Sequence, residues 1–107
     1  MPTTEFEAPL DEEALEWVRY RFTTEGGTVT AFTVQYETTL DGRRLPVVRF
    51  DMAHGFCHRD ILDRRGHNVS KQRLSDDPSL GEALQRGAAD IRNNWRRYRE
   101  AFLRGPR

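Results

Sequence analysis

The sequence predicts an α+β domain: a four-stranded antiparallel meander with one long C-terminal amphipathic helix packed on one face. Three observations lead there. Apolar and polar residues alternate in three stretches between residues 16 and 52, turns rich in Gly and Asp separate those stretches, and beyond residue 79 the apolar spacing changes from two to three and four. The chain has 107 residues, enough for one domain (1–107) with one modest core.

Residues 1–10 read as a loose arm, followed by a short helix within "LDEEALEW". The sheet is expected over residues 16–63. In "EWVRYRFT" the apolar Val18, Tyr20 and Phe22 alternate with Trp17, Arg19 and Arg21, as a half-buried strand requires. Phe32, Val34 and Tyr36 repeat the pattern in "AFTVQYE", and Val48, Phe50 and Met52 repeat it in "VVRFDM". The turns are "EGG" and "LDGR". A two-residue Asp41-Gly42 turn would set Tyr36 opposite Val47 and mix apolar with polar positions on both faces. A three-residue Leu40-Asp41-Gly42 loop instead pairs Val34 with Val48 and Phe32 with Phe50. A three-residue "EGG" loop likewise pairs Tyr20 with Phe32. "HRDILD" supplies the fourth strand, with Val48 opposite Ile61, Arg49 opposite Asp60 and Asp51 opposite His58. Arg59 then points toward the core face, which is tolerable only near an edge.

The helix is expected over residues 78–103. Leu80, Leu84, Ala88, Ile91, Trp95, Tyr98 and Phe102 form its apolar stripe. Either Asp77 caps a first turn containing Pro78, or Ser79 and Glu82 form a capping box; Gly105-Pro106 stops the helix.

With one face under the helix, the other is polar. Extending the register places Arg21, Ala31, Asp51 and His58 in one row and Arg19, Thr33, Arg49 and Asp60 in the next, with His54 reaching them from the loop "AHGF". These residues suit phosphodiester cleavage. A histidine moves protons at neutral pH, a carboxylate orients it, and arginines hold the phosphate and its developing charge. The candidate catalytic set is therefore His58, Asp51, His54, Arg49 and Asp60. Arg19 and Arg21 would bind substrate, joined by Arg92 and Arg96 from the arginine-rich outer face of the helix. The competing reading is a noncatalytic protein-interaction module that uses the same open face, its charges paired across strands.

A metal could use Asp51, His54 and His58, but the four-residue spacing of the histidines would align them only on a helix, and Gly55 with the surrounding alternation indicates strand and loop. No metal and no cofactor are expected. The single Cys57 excludes an internal disulfide framework and points to a reducing, cytoplasmic setting. No secretory signal and no membrane span are read from the sequence. Formal net charge is zero, yet residues 1–63 carry 6 basic and 12 acidic side chains and residues 64–107 carry 11 and 5. That balance argues against indiscriminate coating of nucleic acid and leaves the basic half free to meet phosphates locally.

The runs "RFDMAHGFCHRDILD" and "SLGEALQRGAADIRNNWRRYREAF", within residues 45–103, resemble a family of short bacterial and archaeal proteins of unknown function. They are more distantly similar to the TumE-type toxins of toxin–antitoxin pairs. That resemblance implies a small cytosolic toxin-like protein acting on RNA and partnered by a helix-turn-helix antitoxin. Only Asp51, His54 and His58 carry over, as the polar positions of the shared motif.

Overall fold

The computed structural model describes residues 2–53, 56–74 and 79–105. Six strands, not four, form one antiparallel meander in chain order: β1 (Thr3–Pro9), β2 (Glu16–Glu25), β3 (Thr28–Leu40), β4 (Arg43–Ala53), β5 (Phe56–Leu62) and β6 (Asn68–Arg73). A single helix, α1 (Leu80–Arg104), crosses β3 and β4. The α+β class and the C-terminal helix agree with the sequence reading, and the strand count corrects it.

Both additional strands lie at the edges. β1 occupies the stretch expected to be a loose arm, and its ladder runs from Thr3 opposite Thr23 to Pro9 opposite Trp17. Its anchor is Phe6, whose ring stacks on Tyr20 with centroids 4.5 Å apart; stacking of this kind adds to the area it buries. Between β1 and β2 the expected short helix is replaced by a turn. Asp11 Oδ1 accepts hydrogen bonds from the backbone N–H groups of Leu15 and Glu16, and Ala14 is left-handed at φ 56°. Local side-chain bonding of this kind competes with helix formation. β6, "NVSKQR", is exposed along its whole length and lacks the alternation that would have marked it.

The two central hairpins also differ from expectation. Both turns have two residues, Gly26-Gly27 and Asp41-Gly42, and all four are left-handed, with φ between 53° and 81°. Such turns match the right-handed twist of the strands they join. The face mixing they would otherwise cause is removed by bulges. Thr30 is the extra residue in the first hairpin, since Thr24 faces Val29 and Thr23 faces Ala31. Val47 is the extra residue in the second, since Glu37 faces Pro46 and Tyr36 faces Val48. A bulge places two residues against one and so resets the alternation. β3 is thereby displaced by two residues against both neighbours, with Tyr20 opposite Val34 and Val34 opposite Phe50. An even shift keeps every side chain on its expected face.

The core lies between α1 and one face of the sheet. Ala83, Gly87, Ala88, Ile91 and Phe102 are buried on the helix, opposite Val18, Phe32, Val34, Tyr36, Val48 and Phe50. Gly87 permits the closest approach: a Cβ there would lie 3.0 Å from Phe50 Cβ and Cγ. Ser79 caps the helix by accepting from Glu82 N–H, as one of the two expected arrangements has it; Asp77 and Pro78 lie outside the described residues. Leu84, Trp95 and Tyr98 are half-buried members of the stripe. Arg59 does face the helix, from an inner strand rather than an edge. Its terminal nitrogens donate to Tyr98 Oη at 3.1 Å and Gln72 Oε1 at 2.6 Å, Tyr98 in turn donates to Asp90, and the Arg59 Nε is buried without a partner among the described residues. Among the described residues no helix is long and apolar enough to cross a membrane.

Candidate functional site

Strand alternation sends the odd-numbered residues of β2 to the face away from α1. Because the two register shifts at β3 compensate, Arg21 still shares a row with Asp51, through Thr33 rather than Ala31. The full row is Glu5, Arg21, Thr33, Asp51, His58 and Arg73, and the next is Glu7, Arg19, Gln35, Arg49, Asp60 and Lys71. The register of β4 against β5 is the expected one, with Val48 facing Ile61, Arg49 facing Asp60 and Asp51 facing His58.

At the centre of these rows His58 meets two carboxylates. Its Nε2 is 2.7 Å from Asp51 Oδ1 and 3.6 Å from Asp60 Oδ2, and Lys71 Nζ is 3.8 Å from Asp60 Oδ1. Burial orders the group. His58 is 2% exposed and Asp60 4%, while the Asp51 side chain retains 23%. A surface imidazole, as the open face suggested, is thus corrected to a buried one, and Asp51 is the outer member of the pair. Burial pushes the Asp51 carboxyl above its usual range; His58 pulls it back and the neighbouring Asp60 raises it further. Taking a carboxylate out of water disfavours its charged form, and a second carboxylate adds to that. His54 lies outside the described residues.

The floor beside this cluster is small. Ala31 and Thr33, with Arg21 and Thr23, line a recess of about 260 Å³, and a second of about 120 Å³ lies between Glu5, Arg19, Arg21, Thr33 and Gln35. Arg21 borders both, is exposed, and makes no ion pair with a described residue.

The other expected arginines divide. Arg19 is on the open face, 3.5 Å from both Glu7 and Glu37. Arg49 Nε donates to Gln35 Oε1 at 2.7 Å. Arg92 and Arg96 stand on the helix side: Arg92 donates to Tyr20 Oη at 3.2 Å, and Arg96 lies over the Trp95 ring at 4.4 Å. Tyr20 alternates with Arg19 and Arg21, so the sheet separates the two arginine pairs. One ligand on the open face therefore meets Arg19 and Arg21 without Arg92 and Arg96.

Lys71 and Arg73 complete the two rows and were not foreseen, because the strand that carries them was not. Glu7, Glu37 and Arg44 were missed as well. Arg44 donates to Glu7 Oε1 at 3.1 Å and Oε2 at 2.8 Å, and lies 3.1 Å from Glu37 Oε1. The period-two spacing of Phe6 and Ala8 was the available signal for β1. "NVSKQR" offered none.

The family described as a domain of unknown function, DUF7718, matches residues 1–107, the whole of this fold. The chain belongs to the DUF7718 family. No curated protein and no solved structure matches it. In this DUF7718 protein the open face is therefore described by geometry alone: Arg21 at the recess, and the Asp51–His58–Asp60 cluster two strands away.

Proposed function

We propose that this DUF7718 protein is a toxin-like component that acts on RNA, with the sugar–phosphate backbone lying on the open face of the sheet. One observation carries the reading. Between β2 and β6 the two central rows hold five cations, Arg19, Arg21, Arg49, Lys71 and Arg73, against two carboxylates, Asp51 and Asp60. Glu5 and Glu7 on edge strand β1 offset only the Arg21 and Arg19 end. A surplus of positive charge beside small side chains favours a phosphate backbone, and an unpaired arginine can grip it bidentately. Were the TumE-type resemblance read in the sequence to hold, the partner would be a helix-turn-helix antitoxin.

Asp51 is the group a bound RNA would meet, and His58 would position it from beneath. Deprotonated Asp51 would accept the proton of an RNA 2′-hydroxyl as that oxygen attacks the adjacent phosphorus and the P–O5′ bond breaks, the departing 5′-oxygen taking a proton from water, while Arg21 and Arg49 would oppose the charge that develops on the phosphate oxygens.

The test is induced expression with growth and RNA integrity followed together, and retention of labelled single-stranded RNA by the purified protein. Expression should arrest growth and degrade RNA. Arg21→Ala should weaken RNA retention across sequences and lower the slope of log affinity against log salt by about one. Absence of both growth arrest and RNA retention at low salt in the wild type would overturn the reading and leave the protein-interaction alternative.

A further inference from the structure

We propose that Asp51, His58 and Asp60 bind one divalent transition-metal ion, a site that differs from the one the sequence suggested by replacing His54 with Asp60. Donor atoms from the three side chains all lie within 4.8 Å of one another. His58 and Asp60 are two residues apart on β5 and Asp51 faces His58 from β4, so one patch of ladder fixes the set. Its spacing suits coordination. Metal–ligand distances of about 2.0–2.2 Å put neighbouring ligand atoms roughly 2.8–3.6 Å apart, depending on geometry. The observed separations from His58 Nε2 are 2.7 Å to Asp51 and 3.6 Å to Asp60. The third pair, Asp51 with Asp60, lies within 4.8 Å, so the two carboxylates would draw together on binding to bring all three onto one ion.

A second observation points to a cation independently of the cluster. Asp60 Oδ1 and Asp51 Oδ1 are both buried and accept no hydrogen bond among the described residues, although the Asp60 side chain is only 6% exposed. Asp51 Oδ1 does lie 2.7 Å from His58 Nε2, so the oxygen without a close donor is Asp60 Oδ1, with Lys71 Nζ at 3.8 Å. Buried carboxylate oxygens without donors are costly, and an ion is one of the few things that remove that cost. By comparison, Glu37 on the same face, 7% exposed, accepts from Gln35 at 2.6 Å and lies within 3.5 Å of two arginines. Among carboxylates of the described residues the orphaned oxygens belong to this cluster, and not to the buried Glu37 further along the face.

Two carboxylates and one imidazole form a donor set of hard oxygens with one borderline nitrogen, which fits Mn²⁺, Fe²⁺ or Zn²⁺. Asp51, the outer ligand, is the side from which the ion enters. Lys71 is the competing cation, 3.8 Å from Asp60 Oδ1, and its side chain is 55% exposed and able to swing into solvent. The proposal does not depend on the RNA reading: metal binding is measured on the protein alone.

The experiment is titration calorimetry of chelator-stripped protein with ZnCl₂ and, separately, MnCl₂ at neutral pH. One ion per chain should bind with a Kd of micromolar or below, and affinity should fall as pH falls because the proton competes for His58 and Asp51. Asp60→Asn should weaken binding at least 100-fold. Lys71→Ala should tighten it several-fold, a gain that misfolding cannot imitate. His67→Ala, at the exposed histidine of the β5–β6 turn, should leave it unchanged. Absence of binding by both metals at 100-fold above that Kd would overturn the site. So would full affinity in Asp60→Asn, loss of the ion in His67→Ala, or unchanged affinity in Lys71→Ala.

Discussion

Two ends of one polar sheet face use the same residue types and reach opposite results. At the end formed by Glu7, Arg19, Glu37 and Arg44, every carboxylate has several donors: Arg44 holds Glu7 with two bonds, and Glu37 is shared by Gln35, Arg19 and Arg44. At the other end Asp51 and Asp60 crowd a single buried imidazole, and Asp60 keeps an oxygen that accepts nothing among the described residues. Charge density alone does not separate them. What separates them is how many close donors each carboxylate meets. A saturated network is a structural device, whereas an under-coordinated one has capacity left for a ligand.

The comparison holds only while α1 seals the opposite face, and the largest effect is expected there. Ile91 is fully buried against the sheet. Ile91→Ala should cost about 2–5 kcal/mol in urea unfolding, from lost transfer energy and the cavity left behind. Trp95 belongs to the same stripe but is half-exposed, so Trp95→Ala should cost less, about 1–3 kcal/mol. If Trp95→Ala proves the costlier of the two, the helix is rotated from the orientation described and the faces must be reassigned.

The next effect separates the two ends directly. Glu37→Ala removes the buried acceptor shared by Gln35, Arg19 and Arg44; Gln35 is half-buried and both arginines are exposed and can turn to water, so the cost should be about 0.5–1.5 kcal/mol. Asp51→Asn removes a charge that burial already disfavours, so its cost should stay within about 0.5 kcal/mol while RNA degradation is lost. Equal destabilisation by the two variants in the same unfolding series would erase the distinction and make the Asp51 cluster structural.

The legibility of the sequence followed the same division. Alternation in "EWVRYRFT", "AFTVQYE" and "VVRFDM" identified the buried face because burial selects for apolar side chains, and the helix stripe was visible for the same reason. The pairing of Asp51 with His58 was readable because the register of β4 against β5 follows from matching Val48 to Ile61. The strand edges were not readable. β6 buries none of its side chains, so it carries no apolar pattern, and the cations it brings to the rows, Lys71 and Arg73, were invisible with it. The bulges at Thr30 and Val47 were equally hidden, because an extra residue is a property of the pairing and leaves no mark in one strand. Burial of His58 was hidden too: it depends on side chains from several strands meeting over one position.

The smallest effect concerns pH, and there the two ends should respond with opposite sign. The Arg44 guanidinium holds the Glu7 carboxyl below its ordinary value, chiefly through its hydrogen bonds. A carboxyl lowered on folding stabilises above its unfolded pKa and loses that contribution as pH falls through the folded value. Asp51 is raised, chiefly by burial. The folded protein therefore takes up its proton more readily than the unfolded chain, and that contribution is complete below the unfolded pKa and lost as pH rises through the raised one. Thermal unfolding in EDTA from about pH 3 to pH 7 should resolve this, the range spanning the ordinary carboxylate pKa values. Relative to wild type, Glu7→Gln should match at the acid end and fall behind as pH rises. Asp51→Asn should match at the acid end, where the wild-type carboxyl is also neutral, and gain on wild type as pH rises and the wild type has to bury a charge. Parallel curves for the two variants would mean that both carboxylates sit in equivalent surroundings, against the contrast in burial and donor supply between the two ends.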